Sequence, residues 1–164
     1  MTEMSSFSHS FRLPVERGAV FDLFADPRYL DSLTPPWFRL RPLEEVPESL
    51  GAGVEIPYRL RWRGLPLRWT SLVTDWRSPE YFAYEQKRGP YRFFRHEHSF
   101  ERVDGGTEIL DRVWYRTPAG ALADRLIAQP DLQRIFAFRE RRALTLLRPP
   151  ELEATLLAQA SCPE

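Results

Sequence analysis

The feature that most constrains this chain is the alternation that runs from Val54 to Tyr115. Val54, Ile56, Tyr58, Leu60 and Trp62 are separated by Glu55, Pro57, Arg59, Arg61 and Arg63. A period of two places successive side chains on opposite faces, which suits a strand with one buried and one solvated face. A turn around Gly64-Leu65 brings the chain back and is expected to pair Trp62 with Leu67, Leu60 with Trp69 and Tyr58 with Ser71. Paired residues share a face. Trp69 and Val73 therefore join the inner set, and Arg68 joins Arg59, Arg61 and Arg63 outside. Ser78-Pro79 and Gly89-Pro90 bracket a strand with Phe82, Tyr84 and Gln86 on one face. The next strand sets Phe94, His96, His98 and Phe100 against Arg95, Glu97, Ser99 and Glu101. Asp104-Gly105-Gly106-Thr107 is a hairpin signal that is expected to pair Phe100 with Asp111, His98 with Val113 and His96 with Tyr115. Ile109, Asp111, Val113 and Tyr115 then form the inner face of the last strand.

Helical patterns lie at the two ends. Phe7, His9, Phe11 and Leu13 alternate with Ser8, Ser10 and Arg12, giving a first strand. Pro14 opens a helix to about Ala25 with Val20, Phe21 and Phe24 as its apolar stripe, and Tyr29, Leu30 and Leu33 suggest a second short helix that Thr34-Pro35-Pro36 stops. After Pro118-Ala119-Gly120, residues Leu122, Leu126, Leu132, Ile135, Phe136, Ala143 and Leu147 recur near helical spacing. Pro130 predicts a kink or break there, with the proline in the first turn of a second segment. Arg148-Pro149-Pro150 ends that helix. Clustered strands with helices at the ends indicate an α+β fold: one domain over 1-148 and a C-terminal tail over 149-164.

Composition narrows the function. The 23 basic and 23 acidic residues cancel, which argues against a coat for phosphate backbones, so no nucleic acid partner is expected. Lys87 is the only lysine; the arginines spread along the whole chain and read as a compositional bias rather than as an anion site. The outer arginines Arg59, Arg61, Arg63 and Arg68 are expected to form a solvated, edge-protecting face paired with Glu55 or Glu85. Cys162 is the only cysteine, so no intrachain disulfide forms. With no spanning apolar run and no secretory leader pattern at Met1 to Ser10, the expectation is a cytoplasmic protein without a transmembrane segment.

Several stretches then resemble the SRPBCC superfamily of START-like and birch-pollen-allergen-like proteins, in particular its bacterial cyclase/dehydrase-like branch. They are Pro14-Val15 through Val20-Phe21-Asp22-Leu23-Phe24, Leu33-Thr34-Pro35-Pro36, Trp69, Trp76, Gln86, Gly89-Pro90-Tyr91, His96-Glu97-His98-Ser99-Phe100, Gly105-Gly106-Thr107, Asp111, Phe136 and Arg139. The resemblance implies a helix-grip fold, a seven-stranded antiparallel sheet wrapped around the C-terminal helix. It also implies a cavity for lipids, polyketides, quinones or similar ligands. No single activity follows, because carriers, cyclases and interaction modules share such a fold.

The inner-face residues are the candidate ligand site. Tyr58, Trp62, Trp69, Tyr84, Phe94 and Tyr115 supply aromatic walls, and Gln86, His96, His98 and Asp111 supply polar groups. From the helix, Phe136 and Arg139 complete it, the arginine as a partner for an acidic head group or for a glutamate on a neighbouring strand. The resemblance makes the first and last strands neighbours, which implies that His9 approaches Asp111. The His96-x-His98 pair with Asp111 has ligand types that suit a metal, but inward histidines are more often satisfied core groups. No metal and no cofactor are expected. His98 beside Asp111 is the candidate acid/base pair if the protein is an enzyme of the cyclase/dehydratase kind, set against a purely structural polar network. The leading expectation is binding of a hydrophobic or amphipathic small molecule, with such an enzyme and a non-enzymatic protein-interaction domain as alternatives. Self-association as a homodimer stays open.

Overall fold

A computed structural model describes residues 4–147. The expected helix end at Arg148-Pro149-Pro150, the tail and Cys162 lie outside the described residues. Seven strands form one antiparallel sheet in the order β1-β7-β6-β5-β4-β3-β2: β1 (Ser5–Leu13), β2 (Arg41–Pro42), β3 (Glu55–Trp62), β4 (Leu65–Arg77), β5 (Tyr81–Arg88), β6 (Phe93–Val103) and β7 (Gly106–Arg116). Only the first strand leaves chain order, crossing to pair with the last.

Helix α1 (Arg17–Ala25) starts three residues after Pro14, because Glu16 caps it by accepting from the backbone N–H of Gly18 at 2.8 Å. It ends at Asp26, beyond which Pro27 opens a 3-10 turn to Tyr29 in place of the expected second helix. Val20, Phe21 and Phe24 are buried against β5, β6 and β7, with Phe21 edge-on to Phe82 and Phe100. The C-terminal helical run begins as α2 (Ala121–Ala123), passes a π-turn at Asp124–Ala128 and continues as α3 (Gln129–Leu146). Pro130 is the second residue of α3, just after the π-turn, so the expected interruption takes the form of a π-turn inside a continuous helical run.

Both hairpin registers differ from expectation by two residues. Trp62 faces Leu65, Leu60 faces Leu67 and Tyr58 faces Trp69. The turn is the tight pair Arg63-Gly64, with φ of 49° and 85° at its two central residues. Likewise Val103 faces Gly106, so Phe100 faces Ile109, His98 faces Asp111 and His96 faces Val113. A slip of two preserves faces, so the expected inner and outer sets survive. Trp69 and Val73 are buried, Trp62 is half-buried, and Arg59, Arg61 and Arg68 are exposed.

The helix and the outer face bring two further corrections. Leu122 and Leu126 are exposed rather than part of the inner stripe. A π-turn holds one residue more than an α-turn, and that rotates everything before it by about 100° relative to α3. Asp124 takes the inward position instead, accepting from Ser5 Oγ at 2.7 Å and from the Thr117 backbone N–H at 2.9 Å. On the outer face Glu55 pairs with Lys87 and Glu85 with Arg95, its cross-strand neighbour, rather than with the arginines of β3. Among the described residues no helix is long and apolar enough to cross a membrane.

Candidate functional site

The concave face of the sheet and the inner stripe of α3 do not meet everywhere. Between them lies a cavity of about 410 Å³. Its aromatic wall includes Tyr58, Trp62, Trp69, Tyr84, Phe94 and Phe136. Exposed Pro118, Ala119 and Ile127 mark its mouth, and buried Tyr58, Trp69, His96 and Arg139 mark its floor. Trp62 also fastens the rim, since its indole N–H donates to Asp131 Oδ2 of α3 at 2.7 Å. A second hollow of about 60 Å³ lies deeper, against Phe24, Leu33 and His98, and shares Tyr58, Tyr84 and Arg139 with the first.

The floor is polar in one line. Tyr84 Oη lies 2.6 Å from His96 Nδ1, and His96 Nε2 lies 2.9 Å from Asp111 Oδ1. His98 Nδ1 stands 2.6 Å from the same oxygen. Ionised Asp111 is acceptor-only, so His96 presents its Nε2–H to it, whereas His98 Nδ1 stands beside the same oxygen without hydrogen-bond geometry and Asp111 Oδ2 has no partner among the described residues. That leaves His96 Nδ1 unprotonated, and the Tyr84 hydroxyl donates to it. Burial pushes both imidazoles down, His96 to about 3, so both stay neutral. For Asp111 burial pushes upward, but the two histidines outweigh it and hold the carboxyl well below the usual carboxylate range. Tyr84 is held above the ordinary tyrosine range by burial.

Several expected site residues sit elsewhere. Gln86 does not line either hollow; its side-chain amide donates to the Tyr91 carbonyl at 2.8 Å and its Oε1 accepts from the Tyr91 N–H, clamping the β5–β6 loop. Tyr115 is buried without lining the cavity, and its hydroxyl points to the Asp124 carbonyl at 3.5 Å. Asp111 lies behind His96 and touches neither space. His98 borders only the small hollow. His9 is level with Asp111 in the β1–β7 register, but its ring turns to the helix, where Nε2 lies 2.8 Å from Glu140 Oε2. His98 and Asp111 are direct cross-strand partners rather than diagonal ones.

His96, His98 and Asp111 form a group whose ligand atoms lie within 4.8 Å of one another. His96 Nε2 already donates to the carboxylate, so a metal would have to displace that proton, while His98 Nδ1 and Asp111 Oδ2 have no hydrogen-bond partner among the described residues. All three groups are enclosed by the core, and the His96–Asp111 hydrogen bond makes the set a buried polar network rather than an open coordination site.

Arg139 belongs to the α3 stripe Leu132, Phe136, Arg139 and Ala143, spaced four, three and four residues apart, all buried. Its guanidinium lies over the Phe136 ring at 5.2 Å, and its Nε donates to the Leu33 carbonyl at 3.4 Å. Tyr84 was legible as an inner residue from alternation. Its link to His96, and the depth of Arg139, depend on how the helix seats on the sheet.

No protein-family model and no curated protein matches the sequence. Solved structures do. Protein CV1439 from Chromobacterium violaceum aligns with a TM-score of 0.70 at 13% identity, over 88% of this chain and 97% of that one. Ginseng major latex-like protein 151 from Panax ginseng aligns with a TM-score of 0.68 at 9% identity, over 89% and 99%. Ara h 8.0201 aligns with a TM-score of 0.63 at 17% identity, over 87% and 99%. At these identities the likeness concerns the fold alone: the chain has a helix-grip fold, an antiparallel seven-stranded sheet closed around a long C-terminal helix.

Proposed function

We propose that the protein binds a hydrophobic or amphipathic small molecule in the cavity between the sheet and α3. The observation that carries this reading is the cavity itself, about 410 Å³ of space with an aromatic wall and few polar groups. Side chains of ordinary cores leave no such room. A ligand burying roughly 250 Å² of apolar surface at about 25 cal/mol per Å² gains about 6 kcal/mol before the cost of association. Native mass spectrometry of freshly purified protein tests the reading. The expected spectrum contains a mass adduct that organic extraction removes and identifies as a lipophile. A protein that leaves cells empty and takes up no lipophile on incubation with a cell lipid extract contradicts it.

A second reading, proton transfer on a bound carbonyl compound by a cyclase/dehydratase-like enzyme, is favoured by the Tyr84–His96–Asp111 line. Its tyrosine end lies in the cavity wall, whereas the His98 end faces only the deeper hollow. Neutral His96 is then the base: the Tyr84 hydroxyl passes its proton to Nδ1 as it takes one from the substrate's α-carbon, Asp111 orients the ring and stabilises its cation, and the same relay returns the proton to the departing hydroxyl as water. In that case Asp111→Asn abolishes dehydration of a β-hydroxy ketone while leaving its binding intact. Equal rates in the two proteins speak for a binding role alone.

A further inference from the structure

We infer that the cavity selects ligands carrying one acidic group, a carboxylate or an equivalent oxyanion, and seats that group on Arg139. The inference rests on the ligand-binding reading and names the chemistry of the ligand's polar end.

Arg139 is a full positive charge placed in an apolar interior, 9% exposed. A guanidinium carries five N–H donors and does not lose its proton in proteins. Nε donates to the Leu33 carbonyl at 3.4 Å, and the guanidinium lies close enough to interact with the Tyr84 hydroxyl; both partners are neutral, so the charge itself is unpaired. No described carboxylate lies within salt-bridge distance of Arg139, although most other buried or half-buried charges here are paired, as Arg95 is with Glu85, Glu97 and Asp75. Asp111, the fully buried acid of the floor, already faces both histidines. Tyr84 turns its proton toward His96, so it presents lone pairs rather than a competing donor to the cavity.

Arg139 lines both the main cavity and the deeper hollow, at the place where the two share their wall. An acidic group resting there would take the free edge of the guanidinium in a fork, with its apolar body extending along Phe94, Trp69 and Leu60 toward the mouth. Burying a charge without a partner is expensive, so the position is explained by an anion that arrives with the ligand. A second sign points the same way. The Arg139 stem could have reached solvent from another helix face, yet it takes an inner-stripe position where leucine or alanine would pack without cost.

The test compares 2-naphthoate with 2-naphthamide, probes of equal shape that differ in charge, and uses neutral N-phenyl-1-naphthylamine to report on the cavity alone. Titrations near neutral pH are followed by calorimetry and by quenching of tryptophan fluorescence. Naphthoate is expected to bind roughly tenfold tighter than naphthamide in the unaltered protein, the size of one charge-assisted hydrogen bond. In Arg139→Met the preference should vanish, naphthoate falling to the affinity of naphthamide. Arg139→Lys should keep a reduced preference, because a point charge replaces the fork. If the phenylnaphthylamine binds but the unaltered protein takes naphthamide as well as naphthoate, the acidic-ligand inference is overturned and the cavity reading stands. If none of the three probes binds, both fall. The comparison in the unaltered protein decides the matter even if a variant does not fold.

Discussion

Lowering the pH from about 7.5 to about 5 should destabilise this protein through two histidines that the folded state keeps neutral. His96 and His98 are 1% and 3% exposed, and burial is the main force that lowers both. Folded His96 protonates only near pH 3, against an ordinary value of 6.5 in the unfolded chain. A folded-state value depressed in this way gives stability that is whole above pH 6.5 and is lost as the pH falls toward the folded value. Each pH unit below 6.5 removes about 1.36 kcal/mol for one such group, so His96 alone costs about 2 kcal/mol at pH 5. His98 adds to this in the same direction. Asp111, whose folded value is also depressed, loses its contribution only below the unfolded carboxylate range near 3.9, so the two effects separate along the pH axis. Against a total stability of about 5–15 kcal/mol, the histidine loss is easily measured. Urea unfolding followed by circular dichroism at a series of pH values reads it directly. The slope between pH 6 and 5 should carry about one proton from His96 with a further contribution from His98, and should fall by about one proton in His96→Gln. Ring-proton NMR adds an independent check, because the His96 imidazole should not titrate above pH 5 in the folded protein and that of His98 should titrate below its ordinary value. An unfolding free energy that stays level from pH 7.5 to 5, or a folded His96 that titrates near 6.5, would refute the assigned protonation states.

Three further outcomes follow from the same geometry. Asp111→Asn should cost about 2 kcal/mol or more in thermal or urea unfolding, since an amide cannot accept from His96 with the strength of a carboxylate, while binding of a neutral apolar probe persists. Gly106→Ala should lower stability by about 2 kcal/mol or more, read as a fall in Tm, because Gly106 has φ +157° and an added Cβ would stand 2.0 Å from the Leu13 carbonyl oxygen. Elemental analysis of purified protein should find no stoichiometric metal; about one equivalent of zinc or iron that disappears in His98→Ala would show that the His96, His98 and Asp111 group coordinates rather than hydrogen-bonds.

Most of the sheet was legible because a strand's faces depend only on parity. Tyr58, Trp69, Phe94 and Asp111 all face inward although both hairpins close two residues tighter than expected. The tighter first turn was hidden because it places Arg63, a residue with a Cβ, at positive φ. The helix was legible from Leu132 onward and not before it. A π-turn leaves no mark on a hydrophobic pattern, so Leu122 and Leu126 read as inner residues and face solvent. Within the site, composition could suggest Gln86 as a ligand group, but its amide is taken up by the Tyr91 backbone, a local loop closure that alternation does not show. The Tyr84–His96–Asp111 line spans three adjacent strands and needs the true register to be seen. The depth of Arg139 had one trace in the sequence, its place at the third position of the stripe Leu132, Phe136, Arg139 and Ala143.

The measurement that bears most directly on the cavity as a ligand site is a fluorescence titration with N-phenyl-1-naphthylamine on the unaltered protein and on Ala128→Phe. Ala128 is buried in α3's approach and lines the cavity, so the added ring would occupy the space a ligand needs. The account predicts saturable binding of one probe per protein with a blue-shifted emission, and a loss of roughly tenfold or more in affinity in the filled variant. Binding that is absent in the unaltered protein, or equally strong in a folded Ala128→Phe, would contradict it.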